Sequence, residues 1–191
     1  MTYSKDHIFF TADTHFNHEN ILQFSQRPFA NVQEMNETLI DNWNKVVGKE
    51  DIVFHLGDFS VGSGEAWTEI GSRLNGHIHL ILGNHDMNNF NSACAHCFEE
   101  ITMQKYIEVG KRGIYLNHYP FLCYSGAEKR IWQLFGHVHT NHNNRSDERL
   151  KLLLPRQYDV GVDNNNFTPV SYMQVKQIIE HQIEEAKRME R

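Results

Sequence analysis

The sequence is poor in the features that mark several large classes of protein. It has 3 cysteines and 4 prolines in 191 residues, and an odd number of cysteines without an export signal argues against a disulfide framework. No apolar run approaches the roughly 18 residues that a membrane span requires. The mildly apolar stretch at residues 8–12 is too short for the hydrophobic region of a secretory signal. We therefore expect a cytoplasmic protein with no membrane partner.

Positive charge is also scarce. Lysine and arginine number 18 against 24 aspartates and glutamates, which gives a net charge of −6. Non-specific binding of duplex nucleic acid depends on many cationic side chains that neutralise phosphates, so we expect no duplex partner. A small phosphate ester, including one derived from a nucleotide, stays open as a substrate. The sequence gives no indication of oligomeric state.

Histidine is the exception to these low counts. The chain has 13 histidines, compared with 7 tyrosines and 3 tryptophans. Otherwise the composition, 40% apolar and 22% charged, is that of an ordinary globular protein. No stretch is rich enough in proline, glycine or serine to separate two domains, and no internal repeat is visible. Length and composition therefore predict a single domain over residues 1–191, and the histidines need a separate explanation.

Strand-like and helix-like patterns alternate in the first half of the chain. Short apolar runs at residues 7–12, 52–56 and 77–82 have the length of strands. Between the first two, apolar residues recur at helical spacing after Asn31, and Glu34 completes a variant of the capping box. A shorter helix is predicted around Trp67. This alternation predicts a layered α/β protein with functional residues at the carboxyl ends of its strands.

The second half contains further strand candidates with few helices between them. They lie at residues 105–109, 113–117, 131–135 and 158–162, which suggests mixed or antiparallel pairing. A final amphipathic helix is predicted to begin near Ser171, where Gln174 completes a capping box. The stretch at residues 141–157 is expected to be irregular, since it begins with polar residues and contains Pro155 near its end.

Polar clusters with metal-ligand side chains follow five of the predicted strands. They are Asp13-Thr14-His15, Gly57-Asp58, Gly83-Asn84-His85-Asp86, Asn117-His118 and Gly136-His137-Val138-His139. Strand ends meet at one edge of a parallel sheet, so residues far apart in sequence can come together there. One such cluster is weak evidence for a site, whereas five in this order are strong evidence. The alternative is that these side chains only hydrogen-bond to loop backbones.

These ordered motifs, D-x-H, G-D, G-N-H-[DE], H and G-H-x-H, resemble those of calcineurin-like metallophosphoesterases, and they run from Asp13 to His139. The words around them, such as TADTHFNHENI at residues 11–21 and HLGDFS at residues 55–60, are similar to those of a small bacterial and phage-type subgroup. The resemblance implies a four-layer α/β/β/α sandwich with mixed sheets. It also implies a dinuclear metal site in the loops at the strand ends.

The resemblance implies a ligand set for two divalent ions. One ion would be held by Asp13, His15, Asp58 and His139, and the other by Asp58, Asn84, His118 and His137. Asp58 would bridge them. Carboxylate, amide and imidazole ligands without cysteine suit Mn, Fe, Co, Ni or Zn, and the sequence does not choose among these metals. Two such ions carry four positive charges, of which the two aspartates cancel only two, so the centre attracts phosphate despite the chain's net charge.

The function implied is hydrolysis of a phosphomonoester or a phosphodiester. With the ions about 3.5 to 4 Å apart, a bridging water can ionise near neutral pH and attack phosphorus in line. His85 occupies the family's position for the general acid, and Asp86 could orient its imidazole or polarise the site. A non-catalytic binding module on the same fold is the main alternative. Because such modules usually lose ligands and this chain has the full set, catalysis is favoured.

Two further side chains are candidates for contact with the substrate. His18 either faces the site from the first loop or caps the helix that follows. Arg27 either binds two phosphate oxygens through its guanidinium or packs its stem beside Pro28 and Phe29.

Three other patterns could bind metal. Cys94-Ala95-His96-Cys97 supplies half of a zinc site, but no second half follows, so burial of both cysteines is favoured. His77 and His79 share one strand face, where a hydrogen-bonded pair is favoured over a metal site. Residues 137–142 resemble the H-x-H-x-D-H motif of metallo-β-lactamase-like hydrolases, but only 49 residues follow His142, too few for the remainder of that architecture.

Overall fold

The computed structural model describes residues 2–90, 92–141 and 150–189. Within these ranges the chain forms strands in two sheets, together with α-helices. The strands are β1 (Thr2–Tyr3), β2 (Ile8–Thr11), β3 (Ile52–His55), β4 (His77–Ile81), β5 (Glu100–Thr102), β6 (Gln104–Val109), β7 (Arg112–Asn117), β8 (Trp132–Phe135), β9 (Gln157–Asp159) and β10 (Val170–Ser171). The helices are α1 (Ile21–Phe24), α2 (Val32–Val46), α3 (Gly64–Arg73), α4 (Asp86–Asn89) and α5 (Tyr172–Met189).

The first sheet brings three of the polar clusters to one edge. Its strand order is β10-β2-β3-β4-β5, and β2 to β5 run parallel, with β10 antiparallel to β2. Thr11, the last residue of β2, lies opposite His55, the last residue of β3. The clusters that follow β2, β3 and β4 therefore leave the sheet at the same end.

The second sheet supplies the other two clusters. Its order is β1-β6-β7-β8-β9, with β6 and β7 antiparallel and β7, β8 and β9 parallel to one another. An isolated parallel bridge between Ala12 and Gly161 joins the two sheets just beyond the ends of β2 and β9. The loops after β7 and β8 thus meet those of the first sheet.

Two apolar clusters hold these layers together. One contains residues from both sheets and from α5, among them Phe54 of β3, Leu134 of β8 and Val175 of α5. The other lies on the opposite face of the first sheet, where Val53 of β3 packs in a cluster with Trp43 of α2 and residues of α3. Adjacent residues of β3 serve different clusters because side chains alternate across a strand. The predicted α/β class with two mixed sheets is confirmed.

Local signals placed the helix starts well. Asn31 caps α2 by accepting a 2.9 Å hydrogen bond from the Glu34 N–H, although the Glu34 carboxylate accepts from the N–H of Ala30 rather than that of Asn31. At α5, the Ser171 N–H donates to Gln174 Oε1 over 2.8 Å, and the Gln174 N–H donates to Ser171 Oγ. This is the predicted capping box.

The end of the chain differs from the expected pattern in two places. The strand predicted at residues 158–162 ends at Asp159, because the Asp159 carboxylate accepts the Gly161 N–H over 2.8 Å and turns the chain. A 3₁₀ helix, Val162–Asn164, follows. In the stretch expected to be irregular, Leu150–Leu152 forms a 3₁₀ helix, while its polar beginning, including His142, lies outside the described residues.

The cysteine pair lies in the 3₁₀ helix Ser92–Cys97. Cys94 is fully buried and Cys97 half-buried. Both pack in the apolar cluster on the outer face of the first sheet, as the packing interpretation predicted.

Across the described ranges, no helix has the length and apolar character needed to cross a membrane.

Candidate metal centre

The loops that carry the predicted ligands have an unusual backbone. Five of the seven ligand positions have a positive φ: Asp13 (56°), His15 (50°), Asp58 (57°), His137 (70°) and His139 (48°). A positive φ is uncommon for residues other than glycine and costs free energy, and such residues cluster at functional sites. These conformations turn the chain sharply at each strand end, so that side chains from separate loops converge.

A first group contains Asp13, His15 and His139. One potential ligand atom from each lies within 4.8 Å of the others, and His139 Nε2 is 3.8 Å from Asp13 Oδ1. Both oxygens of Asp13 also accept the backbone N–H of His137, at 3.0 and 2.9 Å. The carboxylate therefore ties the loop after β2 to the loop after β8.

A second group contains Asp58, His118 and His137, again within 4.8 Å of one another. Asn84 joins it, because its Oδ1 lies 3.0 Å from His118 Nε2. Asp58 also reaches the first group, since its Oδ2 lies 3.5 Å from the Nε2 atoms of both His15 and His118. One carboxylate oxygen thus stands at the junction of the two groups.

The polar atoms of this cluster fit the ligand set of a divalent cation. His15 Nε2 is buried and has no hydrogen-bond partner, a costly arrangement unless something else satisfies it. His118 Nδ1 donates to the Leu56 carbonyl over 2.8 Å, which leaves Nε2 as an acceptor beside the Asn84 oxygen. His15 Nε2 and His118 Nε2 both lie 3.5 Å from Asp58 Oδ2. Nitrogen and oxygen ligands without a thiolate suit the transition metals expected from the sequence.

Burial also sets the protonation of these groups. Burial raises the pKa of Asp13 well above its usual value and lowers the pKa of His15 well below its own. Burial is likewise the main reason that the pKa of His118 falls to about 4. At His15 and His118 the surroundings therefore favour the neutral imidazole, which is the form that binds metal. At His139 the effect of burial is outweighed by Asp13 and Asp163, which raise the pKa of that imidazole.

Glycine is required where the loops approach one another. A Cβ atom at Gly83 would overlap Asp58 Oδ1, and one at Gly136 would overlap Asp13 Oδ2. Both glycines therefore leave room for an aspartate of the cluster.

Arg27 does not face this cluster as a phosphate clamp, and that prediction is corrected. Its side chain is fully buried, and its Nε and Nη2 donate to the two oxygens of Asp163 at 2.9 and 2.8 Å. Its Nη1 and Nη2 also donate to the carbonyls of Thr14 and Asp13, at 2.9 and 2.6 Å. With its nitrogens engaged inside the protein, the guanidinium braces the loop after β2 instead of binding a ligand.

Asp163 was not found by sequence reasoning. Its Oδ2 accepts a 2.8 Å hydrogen bond from His139 Nδ1 as well as the bond from Arg27. Burial alone would raise the pKa of Asp163, but the hydrogen bonds and charge of His139 and Arg27 outweigh burial and lower it. An ionised carboxylate on Nδ1 fixes the ring of His139 and leaves Nε2 directed at Asp13, as carboxylates do for metal-binding histidines.

His18 and His85 stand beside the first group. The His85 ring centroid lies 4.9 Å from that of His15 and 5.2 Å from that of His18. The His85 N–H donates to Asp58 Oδ1 over 2.8 Å, which fixes its backbone. His18 Nδ1 lies 3.1 Å from His15 Nδ1. Both side chains are half-buried and line an open cavity of about 370 Å³, together with Phe24 and five of the predicted ligands.

Asp86 acts on the backbone rather than on the imidazole of His85. Its carboxylate accepts the N–H groups of Asp58, Phe59 and Gly83 at 2.7, 2.8 and 2.8 Å. Burial raises its pKa to about 6. The expectation that Asp86 orients the ring of His85 is therefore corrected, because this buried carboxylate holds the loops after β3 and β4 together.

The mixed α/β fold brings histidine and aspartate groups that could hold a metal ion to its strand ends, and comparison with known proteins identifies a family. The model of the calcineurin-like phosphoesterase family matches residues 7–177. The chain therefore belongs to the calcineurin-like phosphoesterase family, and membership supports metallophosphoesterase activity.

Individual relatives extend over most of the chain. An uncharacterized protein of Methanocaldococcus jannaschii is 37% identical over 177 residues, covering 91% of each chain. The gene 66 protein of Mycobacterium phage L5 is 31% identical over 160 residues, covering 69% of this chain and 76% of the phage protein. The crystal structure of a protein of unknown function from Aquifex aeolicus superposes with a TM-score of 0.68 at 28% identity, covering 90% of this chain and 98% of that one.

Proposed function

We propose that the protein is a dinuclear-metal phosphoesterase that hydrolyses small phosphate esters with His85 as the general acid. The observation that supports this most directly is the position of Asp58, whose Oδ2 lies 3.5 Å from the Nε2 atoms of both His15 and His118. A ligand that bridges two ions must serve two groups of ligands at once, and this carboxylate is the one placed to do so.

Each group would hold one divalent transition-metal ion. The first set is Asp13, His15, Asp58 and His139, and the second is Asp58, Asn84, His118 and His137. When bound, two such ions supply a water-derived nucleophile near neutral pH and neutralise charge on the phosphate. The donors suit Mn, Fe, Co, Ni or Zn.

The protein fixes the orientation of the ligand side chains. Asp163 accepts from His139 Nδ1 and the Leu56 carbonyl accepts from His118 Nδ1, each over 2.8 Å. With Nδ1 used as the donor, Nε2 is the nitrogen of each imidazole that would act as a ligand. Holding each ring in one tautomer reduces the reorganisation that binding requires.

In this proposal His85 gives a proton to the departing oxygen. It lines the cavity and lies next to Asn84 in sequence. Its backbone N–H donates to Asp58 Oδ1, which fixes the backbone of His85 beside the cavity that would receive the phosphate. Histidine is the side chain most often used for general acid catalysis. His18, on the same side of the cavity, is placed to contact the substrate.

Leaving-group dependence tests this assignment. With Mn²⁺ added, His85→Ala should lose about 10²- to 10⁴-fold in kcat on phenyl esters, whose leaving group needs a proton. It should lose far less on 2,4-dinitrophenyl esters, whose leaving group does not. His181→Ala, a substitution at an exposed histidine of α5, serves as the matched control.

Two outcomes would contradict the proposal. Full turnover of phenyl esters by His85→Ala would show that His85 is not the general acid. A wild-type protein that binds metal but turns over no phosphate ester would instead be the non-catalytic binding module on this fold.

A further inference from the structure

Phe24 is an exposed aromatic residue on the rim of the cavity. It is the last residue of α1 and its side chain is 76% exposed, whereas the same helix is anchored by buried Ile21. The next residue, Ser25, has its Oγ 3.2 Å from His139 Nδ1. Phe24 therefore lies beside the first ligand group, lines the cavity and adds little to the core.

Tyr119 lies beside the second ligand group, where it neighbours His137 of the cavity lining without belonging to that lining itself. Its ring centroid lies 4.6 Å from that of His137 and 4.9 Å from that of His118, and it is nearly perpendicular to both. Its backbone N–H donates to Asn117 Oδ1 over 2.8 Å. The ring is thus held in place against two predicted ligands while 44% of the residue is open to solvent.

The charges around the cavity favour one kind of phosphate ester. A monoester carries about −1.5 to −2 near neutral pH, whereas a diester carries a single negative charge. Among the described residues that line the cavity, none is lysine or arginine, and the nearby Arg27 is enclosed with Asp163. The second charge of a monoester would be met by the metal centre alone, since this lining offers no cationic side chain. A diester instead needs surface for an organic group on each side of the phosphate.

We propose that Phe24 and Tyr119 are stacking platforms for the two organic groups of a phosphodiester, so that the site prefers a diester with a planar aromatic group on each side. This inference rests on the proposed function of the same site. Stacking on an aromatic side chain strengthens binding by about tenfold or more per planar group and accepts many ring structures. The acidic chain restricts the class to short substrates.

Two diesters with the same leaving group provide the test. Bis(4-nitrophenyl) phosphate has a planar group on both sides, and methyl 4-nitrophenyl phosphate has one. The ratio of their kcat/KM values, measured with Mn²⁺, cancels differences in protein concentration and metal loading. Phe24→Ala and Tyr119→Ala should behave differently. Removal of the platform that stacks on the retained group should lower this ratio about tenfold, because only bis(4-nitrophenyl) phosphate has a planar retained group. Removal of the platform that stacks on the leaving group should lower kcat/KM for both diesters by a similar factor.

Matched variants separate stacking from damage to the fold. Phe24→Tyr and Tyr119→Phe keep a ring and should keep the wild-type ratio. Tyr106→Ala removes a tyrosine that is 45% exposed and whose ring packs against Tyr115 rather than against a predicted ligand, and it should change the kcat/KM of neither substrate. The bound metal content of both alanine variants should equal that of the wild type.

The outcomes distinguish this inference from the proposed function. Suppose that the wild type is active and that Phe24→Ala and Tyr119→Ala keep both the ratio and the two kcat/KM values within twofold of the wild type. The stacking proposal is then wrong and the proposed function stands. If the wild type turns over 4-nitrophenyl phosphate faster than bis(4-nitrophenyl) phosphate, the diester class is wrong. If it hydrolyses none of the three esters with Mn²⁺, Ni²⁺ or Zn²⁺, both proposals fail together.

Discussion

Histidines and carboxylates meet at both ends of the first sheet, but in different ways. Near the amino end of β4, His77 Nδ1 lies 2.8 Å from Glu99 and His79 Nδ1 lies 3.1 Å from Glu100. Each imidazole there has its own carboxylate, and the His77 and Glu99 side chains are 48% and 55% exposed. At the carboxyl end, the imidazoles of the candidate metal centre share carboxylates in the interior.

The comparison shows which property distinguishes a candidate site. The His15 and His118 side chains are 1% exposed and both lie 3.5 Å from a single oxygen of Asp58, whereas His77 and His79 pair with two different carboxylates. Exposed ion pairs contribute little free energy, while buried unpaired polar atoms are costly and need a reason. Residue type is the same at the two ends, and convergence and burial differ.

The largest expected effect contrasts one histidine from each end. His118→Ala should lower kcat/KM on an aryl phosphodiester by at least about 100-fold. It removes a predicted ligand, and loss of a mere hydrogen-bond partner of a metal ligand already costs about 10- to 100-fold. His79→Ala should stay within twofold of the wild type. Steady-state kinetics with added Mn²⁺ measures both variants, and equal losses would erase the distinction between the two ends.

The second effect concerns support behind a predicted ligand. Asp163→Asn keeps the shape of the side chain but removes the negative charge that accepts the hydrogen bond from His139 Nδ1. Metal affinity should therefore fall about 10- to 100-fold. Equilibrium titration with Mn²⁺ measures this loss. Glu100→Gln makes the same change beside His79 at the amino end and is the matched control. Unchanged affinity in Asp163→Asn would show that His139 does not depend on this carboxylate.

A smaller effect is the pH dependence of stability at the carboxyl end. Burial lowers the pKa of His55 to about 3, and the charge of His118 adds to the shift. The unfolded chain binds a proton near pH 6.5 and the folded chain does not. His55 therefore lowers the free energy of unfolding by about 1.4 kcal/mol for each pH unit below 6.5, down to about pH 3.

Urea denaturation of the wild type and His55→Gln checks this contribution. Between pH 6 and pH 4.5 the free energy of unfolding should fall less steeply for the glutamine variant than for the wild type. Each protein is compared with its own value at pH 8, where His55 is unprotonated in both the folded and the unfolded wild type. Parallel curves for the two proteins would contradict the assignment.

The smallest effect is expected at the amino end. Glu99→Gln removes one partner of an exposed pair and should change the free energy of unfolding by less than about 0.5 kcal/mol. Thermal or urea unfolding measures it. A loss of 2 kcal/mol or more would mean that this pair is more strongly coupled to the fold than its exposure indicates.

The predicted ligands could be identified from sequence because each follows a buried strand directly. Asp13, Asp58 and His118 come within three residues of the ends of β2, β3 and β7, so the strand pattern alone places each of them at a strand end. Their role as ligands stays a prediction, but their meeting in space is now described. The family expected from the motifs is confirmed.

The residues that support the predicted ligands could not be predicted from the sequence in the same way. Arg27 and Asp163 are 136 residues apart, and nothing in the local sequence of either indicates that they pair behind His139. Asp86 lies within a recognised motif, but two of its three partners are N–H groups of the loop after β3, up to 28 residues away. Periodicity and motif order describe strands and their ends, whereas these contacts depend on how the loops pack.

Titration of metal-free protein with Mn²⁺, followed by calorimetry, tests the central claim most directly. The wild type should bind two ions per chain. Asp58→Asn should lose tight binding of both, because the Asp58 carboxylate serves both groups, whereas Glu99→Gln should still bind two. Two ions bound by Asp58→Asn as tightly as by the wild type would contradict the account.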